Sequence, residues 1–200
     1  MPARRSASSP LALAVLYLLS ERPMHPYEIA AEMRMRGIEY SIKLNYGSLY
    51  TVVDALRDAG LIAAQQTVRE GRRPERTVYS VTPDGEEAMR NRLRTLLGTA
   101  EPEYPRFMAG LCFIEGLPED EIADLLETRT KGLESAISNR RIVLDGLYAH
   151  GLDRVSLVEG EYNIAMLQAD LAFVRRLIDD VKAGRMPFRT TKPDAEETDA

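Results

Sequence analysis

One cysteine and two histidines in 200 residues leave little for metal or redox chemistry. The lone thiol, Cys112, excludes an internal disulfide framework and fits a reducing cytoplasm. Lying in the apolar run Leu111-Cys112-Phe113-Ile114, it reads as a buried small hydrophobe. His25, beside two prolines, reads as a loop residue, and no zinc site of ordinary ligand spacing can be assembled. No metal and no cofactor is expected. Long apolar runs are lacking as well. Residues 11–19 are too few to span a bilayer, and Ser20-Glu21-Arg22-Pro23 follows without a small-residue cleavage site, so neither a signal peptide nor a membrane partner is expected. The chain has no Walker loop, dinucleotide fingerprint, HExxH motif or internal repeat. Glu119, Asp120, Glu121 and Asp124 are better explained as a solvated helix start than as paired catalytic acids. No histidine lies in a nucleophile setting, and an enzyme is not expected.

Basic charge is also short, with 26 Lys+Arg against 31 Asp+Glu and a net charge of −5. Its distribution matters more than its total. Residues 1–95 carry 14 Lys+Arg and 11 Asp+Glu, a net +3, whereas residues 96–200 carry 12 and 20, a net −8. A basic surface confined to one half is what phosphate binding needs.

What is present centres on residues 45–83. Leu49, Val52, Val53 and Leu56 recur at three- and four-residue spacing, which predicts a helix with one buried face. Asn45 or Ser48 can cap its amino end, and Gly60 ends it in the left-handed conformation. The period then changes to two. Residues 61–68 and 76–81 read as strands, with Val68, Val78, Tyr79 and Val81 supplying β-branched and aromatic character. Arg69, Arg72, Arg73 and Arg76 sit on the glycine- and proline-containing turn between them. Thr82-Pro83 opens another helix. Helix, basic-tipped hairpin, helix is the order of a winged helix-turn-helix.

GSLYTVVDALRDAGLI followed by EGRRPERTVYSVTPDGEEAM resembles the signature of the PadR family of bacterial transcriptional regulators. In that family Gly-Ser/Thr-Leu-Tyr opens the recognition helix, Gly-Leu-Ile begins the wing, and a Gly-Arg-Arg or Gly-Arg-Pro tip precedes a Tyr-x-Leu/Val-Thr-x-x-Gly close. The match runs from Leu11 to about Met89. His25-Pro26-Tyr27 departs from it, standing where members often carry Ser-Gly-Tyr. The second half, with EYPRFMAGL and LPEDEIADLLETR, is similar in pattern to the helical half of longer members. The resemblance implies a homodimeric, ligand-responsive repressor, loosened from its DNA by a small-molecule effector.

The expected architecture is mainly α with a small β-hairpin. Residues 1–98 are expected to form the winged-helix DNA-binding domain and residues 104–184 a helical dimerisation and effector domain. Residues 185–200 are expected to form an acidic, disordered tail. Ser9-Pro10 starts the first helix. A second runs from Tyr27 to Met35 with Tyr27, Ile29, Ala30 and Met33 inward. A boundary rich in helix breakers, residues 98–105, is followed by a short helix to Gly116, a long one to about His150, and a last one from Ser156 to Gly184.

The predicted DNA site follows from the geometry of a recognition helix whose amino end meets base edges and phosphates. With Leu49, Val53 and Leu56 inward, Tyr46, Ser48, Tyr50 and Thr51 lie at the open end or on its flanks. Tyr46 can donate its phenol or press on a thymine methyl. Tyr50 can equally contact DNA or pack beneath the helix. Lys43, Arg69, Arg72, Arg73 and Arg76 are expected on phosphate or in the minor groove. In the last helix Ile164, Leu167, Leu171, Val174, Ile178 and Val181 form an a/d seam, widened by Tyr162, Ala165, Ala169 and Phe173. One side is expected on the long helix and the other on a second subunit, so that a two-fold dimer reads a palindromic operator. Alternatively the whole stripe packs within its own chain. Two other readings of the fold are a protein-interaction module and chiefly a small-molecule binder.

Overall fold

The computed structural model describes residues 9–42, 44–68 and 76–186. Lys43, Arg69, Arg72 and Arg73 lie outside them. The chain divides into two compact units, one ending at Pro102 and the next beginning at Glu103.

In the first unit, α1 (Pro10–Glu21) starts where Ser9 Oγ accepts from the Ala12 amide at 3.2 Å, with proline at the position that needs no N–H. The second helix, α2 (Pro26–Met35), is capped at both of its first free donors by a pair not expected from the sequence. His25 Nδ1 accepts from the Tyr27 amide at 3.1 Å, and Glu28 Oε2 accepts from the His25 amide at 2.7 Å. This capping box gives His25 a structural role instead of a loop position. Tyr27 is not inward. Pro26, Ile29, Ala30 and Met33 form the buried stripe, and Tyr27, one residue off its start, is 60% exposed.

Asn45, and not Ser48, caps α3 (Tyr46–Asp58), its Oδ1 accepting from the Gly47 amide at 2.9 Å. Leu49, Val52, Val53 and Leu56 are buried in a core shared with α1, α2, Ile62 and Tyr79, and Ala55 is buried as well. Gly60, at φ +72°, turns the chain out of the helix. Strands β1 (Ile62–Val68) and β2 (Arg76–Val81) pair antiparallel from Ile62–Val81 to Val68–Arg76, with an irregularity between Ala64 and Gln66. The hairpin is tied to the α1–α2 turn as well. Met24 and Tyr79 exchange two backbone hydrogen bonds of 3.0 Å each, and Met24 is fully buried. The turn after Pro23 therefore acts as a third, one-residue strand.

A single threonine joins helix, wing and the next helix, α4 (Pro83–Gly98). Thr82 Oγ1 donates to the Gly60 carbonyl at 2.8 Å and accepts from the Gly85 amide at 3.1 Å. Gly85 then lies so close to the hairpin base that a Cβ there would stand 2.0 Å from the Leu61 carbonyl oxygen.

The second unit contains α5 (Arg106–Leu111), α6 (Glu119–Ala149) and α7 (Val158–Lys182). The single helix expected up to Gly116 breaks at Cys112 and resumes as one 3-10 turn, Ile114–Gly116. The break turns Cys112 outward, so the expected burial of this thiol is corrected: it is exposed. At the other end, Arg154–Ser156 form a 3-10 turn and the last helix starts at Val158. Its seam is covered largely by its own chain: Val174, Ile178 and Val181 are buried with Ile122, Leu126 and Leu133 of α6, with Leu167 and Leu171 at the edge. Ile164 is buried too. Ion pairs flank this seam, Arg175–Glu134 and Lys182–Glu127 at 2.5 Å each and Arg129–Asp170. Order continues past the expected start of the tail. Arg185 pairs with Asp180 at 2.7 Å, and Met186 packs against the seam. Residues 187–200 lie outside the described residues.

Two expectations follow for stability. Gly85→Ala forces a methyl into a backbone carbonyl, so unfolding in urea should show a loss of about 1–3 kcal/mol, the usual range for overpacking. Near the α6–α7 turn, Arg154 binds Glu161 through two nitrogens at 2.9–3.1 Å and Tyr148 donates to it at 2.6 Å. These hydrogen bonds, Arg154 first, pull the Glu161 carboxyl down to about 2 from its ordinary 4.5. A depressed carboxylate adds stability above its unfolded pKa and loses it as pH falls through the folded one. The difference in melting temperature between the wild type and Glu161→Gln should therefore shrink as pH falls from 4.5 to 2.

Candidate nucleic-acid interface

Because one face of α3 is buried, the opposite face is left in solvent. Ser48 and Thr51 are exposed, and Tyr46 and Tyr50 are 41% and 46% exposed. Tyr50 thus does not pack beneath the helix. Thr51 donates its hydroxyl to the Gly47 carbonyl at 2.9 Å, which leaves its oxygen lone pairs facing outward. Tyr46, Ser48, Tyr50 and Thr51 form one polar and aromatic surface over the first turns of α3.

The amino ends of α1 and α3 converge beside this surface. Ser9, Leu11, Ser41, Asn45, Ser48 and Thr51 line a shallow concavity of ≈ 660 Å³. Helix amino ends carry partial positive charge, so the concavity suits an anionic oxygen, although Ser9 and Asn45 already accept from the Ala12 and Gly47 amides there.

One contact at the site has no counterpart in the sequence reading. Arg34, from the last turn of α2, donates Nη1 to the Tyr46 hydroxyl at 2.6 Å, with its guanidinium 4.8 Å from the ring centroid. The two residues are twelve positions apart on different helices. No periodicity brings them together; only the packing angle of α2 on α3 does.

Arg57, further along α3, is engaged elsewhere. It meets Asp54 and Asp58 at 2.9 Å each, and the Asp58 carboxylate in particular raises its pKa. It is therefore a poor phosphate ligand. Four other arginines of the unit behave alike: Arg22, Arg36, Arg90 and Arg94 each pair with a glutamate. In the wing, Val68 is paired with Arg76, the first residue of β2. The expected contacts at Arg69, Arg72 and Arg73, and at Lys43 ahead of α3, fall outside the described residues. Among the described residues no group of three or more His, Cys, Asp or Glu could hold a metal ion, and no helix is long and apolar enough to cross a membrane.

In the second unit Tyr162 and Phe173 are 65% and 42% exposed, with Ala165 and Ala169 beside them on the same flank of α7. The seam residues expected at a subunit contact are for the most part already covered; this flank is what remains.

Residues 15–91 match the transcriptional regulator PadR-like family. Comparison with curated proteins finds no match. Solved structures do match. Bacillus subtilis PadR in complex with operator DNA is 20% identical, with 86% of this chain and 94% of that chain covered and a TM-score of 0.58. The same protein in complex with p-coumaric acid is 15% identical, with coverages of 85% and 97% and a TM-score of 0.66. The Vibrio cholerae virulence activator AphA is 20% identical, with coverages of 87% and 99% and a TM-score of 0.69. At these identities the likeness is one of fold. The chain thus carries a PadR-like family domain over residues 15–91, with the fold of the winged-helix transcriptional regulators that it resembles.

Proposed function

We propose that the chain is a sequence-specific, DNA-binding transcriptional regulator, a cytoplasmic homodimeric repressor released from a palindromic operator by a small-molecule effector. It performs no catalytic step. The observation that carries the reading is the exposed Tyr46, Ser48, Tyr50 and Thr51 surface on α3, bordered by two helix amino ends. In a winged helix this is the surface that enters the major groove. Operator-bound and p-coumaric-acid-bound forms of Bacillus subtilis PadR, a structure of the same fold, support the DNA and effector parts. The name of the Vibrio cholerae neighbour favours a second reading, an activator in place of a repressor. A reporter gene placed downstream of the recovered operator separates the two by the sign of its response.

In this proposal Ser48 hydrogen-bonds bases or phosphates, Thr51 accepts from a base N–H, and Lys43, Arg69, Arg72, Arg73 and Arg76 neutralise phosphates. The dimer forms on the second unit, through the Tyr162 and Phe173 flank of α7. Selection of genomic fragments with the purified protein should return a site with two inverted half-sites about one helical turn apart. Recovery of no enriched sequence overturns the reading.

Two measurements sharpen it. Arg72→Ala with Arg73→Ala should weaken binding to all sequences alike and reduce the salt slope by about 0.9 per lost phosphate contact, roughly four units for the two wings of a dimer. An unchanged slope would take the wing off the DNA. Tyr162→Glu with Phe173→Glu places charges on a flank outside the buried seam. The variant should stay folded, its melting temperature falling only to the value the wild type shows when diluted to monomer; sedimentation should report monomer, and cooperative binding to the palindrome should vanish. A variant that remains dimeric places the interface elsewhere.

A further inference from the structure

Tyr46 has two ways to meet a base, donating its phenol or pressing its ring on a thymine methyl. Its neighbours select one. Arg34 Nη1 donates to the phenol oxygen at 2.6 Å, while the guanidinium lies 4.8 Å from the ring centroid. Glu39, from the 3-10 turn Ile38–Tyr40, holds the same guanidinium, its Oε2 3.6 Å from Arg34 Nε. The arginine is therefore tethered on one side by a carboxylate and reaches the phenol with the other.

A phenol oxygen that accepts a short, charge-assisted hydrogen bond still keeps its own hydrogen to give. The two bonds in series also strengthen one another. One face of the ring is meanwhile taken by the guanidinium, which narrows the room for an apolar contact. Cytosine offers only an N4–H donor in the major groove, whereas guanine, adenine and thymine each offer an acceptor. A tyrosine held as donor discriminates against cytosine at the position it meets.

Resting on the DNA-binding reading above, we propose that Arg34 is a positioning residue for base recognition. It commits Tyr46 to donate to a base acceptor and so sets base choice at one position of each half-site. Tyr46 touches the base; Arg34 acts through Tyr46.

Selection from a randomised duplex library with full-length protein tests this, with wild type, Tyr46→Phe, Arg34→Ala and Arg34→Lys compared. Both side chains are exposed, and melting curves of the four proteins should coincide. Tyr46→Phe and Arg34→Ala should lose preference at the same single position of each half-site, by about 5- to 150-fold, the range of one good base contact. The other positions should be unaffected. Arg34→Lys, which keeps a cationic donor, should restore that preference, and the Arg34→Ala/Tyr46→Phe double variant should be no worse than Tyr46→Phe. A wild-type motif that survives Arg34→Ala at every position overturns the proposal alone. Uniform weakening with a shallower salt slope would make Arg34 a phosphate contact and also overturn it. If the wild type enriches no motif, the DNA-binding reading fails and the proposal falls with it.

Discussion

The first unit depends on the burial of one face of α3. Leu49, Val52, Val53 and Leu56 are almost wholly inaccessible, and each such side chain contributes about 1.5–3 kcal/mol by leaving water. Turning the helix by one residue would move every side chain about 100° around the axis, exposing leucines and burying Tyr50. The core therefore decides which residues are free for a ligand, and the surface of Tyr46, Ser48, Tyr50 and Thr51 is the remainder. Its position relative to the hairpin is held by contacts that are mostly backbone: the Met24–Tyr79 bridge, the Thr82–Gly60 bond and the close approach of Gly85 to Leu61. A site framed in this way tolerates exchange of its outer residues, which is how one fold can serve many sequence preferences.

Charge is arranged to the same end. An acidic chain is a poor partner for a polyanion unless its cations are local. In the first unit Arg22, Arg36, Arg57, Arg90 and Arg94 are each paired with a carboxylate of the same unit. Surface pairs of this kind add little stability, but they cancel the field of those arginines. Along the sequence, four arginines and two glutamates fall within residues 69–76. Tyr46, Ser48, Tyr50 and Thr51 are by contrast uncharged, with the Arg34 guanidinium at their edge and the Asp54–Arg57 pair one turn further along α3. Such a division suits a wing that supplies affinity and a helix that supplies choice.

Much of this was legible in the sequence because its signals are local. The α3 periodicity, the switch to period two after Gly60, Asn45 at the cap and Ser9-Pro10 each rest on a few neighbouring residues. The family motif adds the order of elements. The misses have a common cause as well. His25 and Glu28 cap α2 only because Pro26 starts that helix one residue earlier than the apolar pattern suggests, which also turns Tyr27 outward. Cys112 faces solvent because α5 breaks at that residue, although the run around it is apolar. Arg34 meets Tyr46 through the packing of two helices, a long-range relation with no trace in spacing. Of the residues at the candidate interface, the ones on α3 could be derived from the helix period; their partner Arg34 could not.

The α6–α7 pair makes the same point about limits. A run of three- and four-residue spacings says that a helix has a partner but not whose chain supplies it. Here α6 lies antiparallel in the same chain, and Val174, Ile178 and Val181 fill the seam with Ile122, Leu126 and Leu133. The pairs Arg175–Glu134, Lys182–Glu127 and Arg129–Asp170 join residues 41, 55 and 41 positions apart, so they fix the register of the two helices even where they add little energy. The hairpin thus has a core of its own, and Tyr162 and Phe173 project from it without being needed for it. A second copy bound there would meet a preformed surface instead of completing an unfinished fold. Its loss would leave a folded monomer, and the assembly would follow protomer concentration by simple mass action. Under the proposed dimer, the protomer would lose its partner, and with it the second half-site, without unfolding.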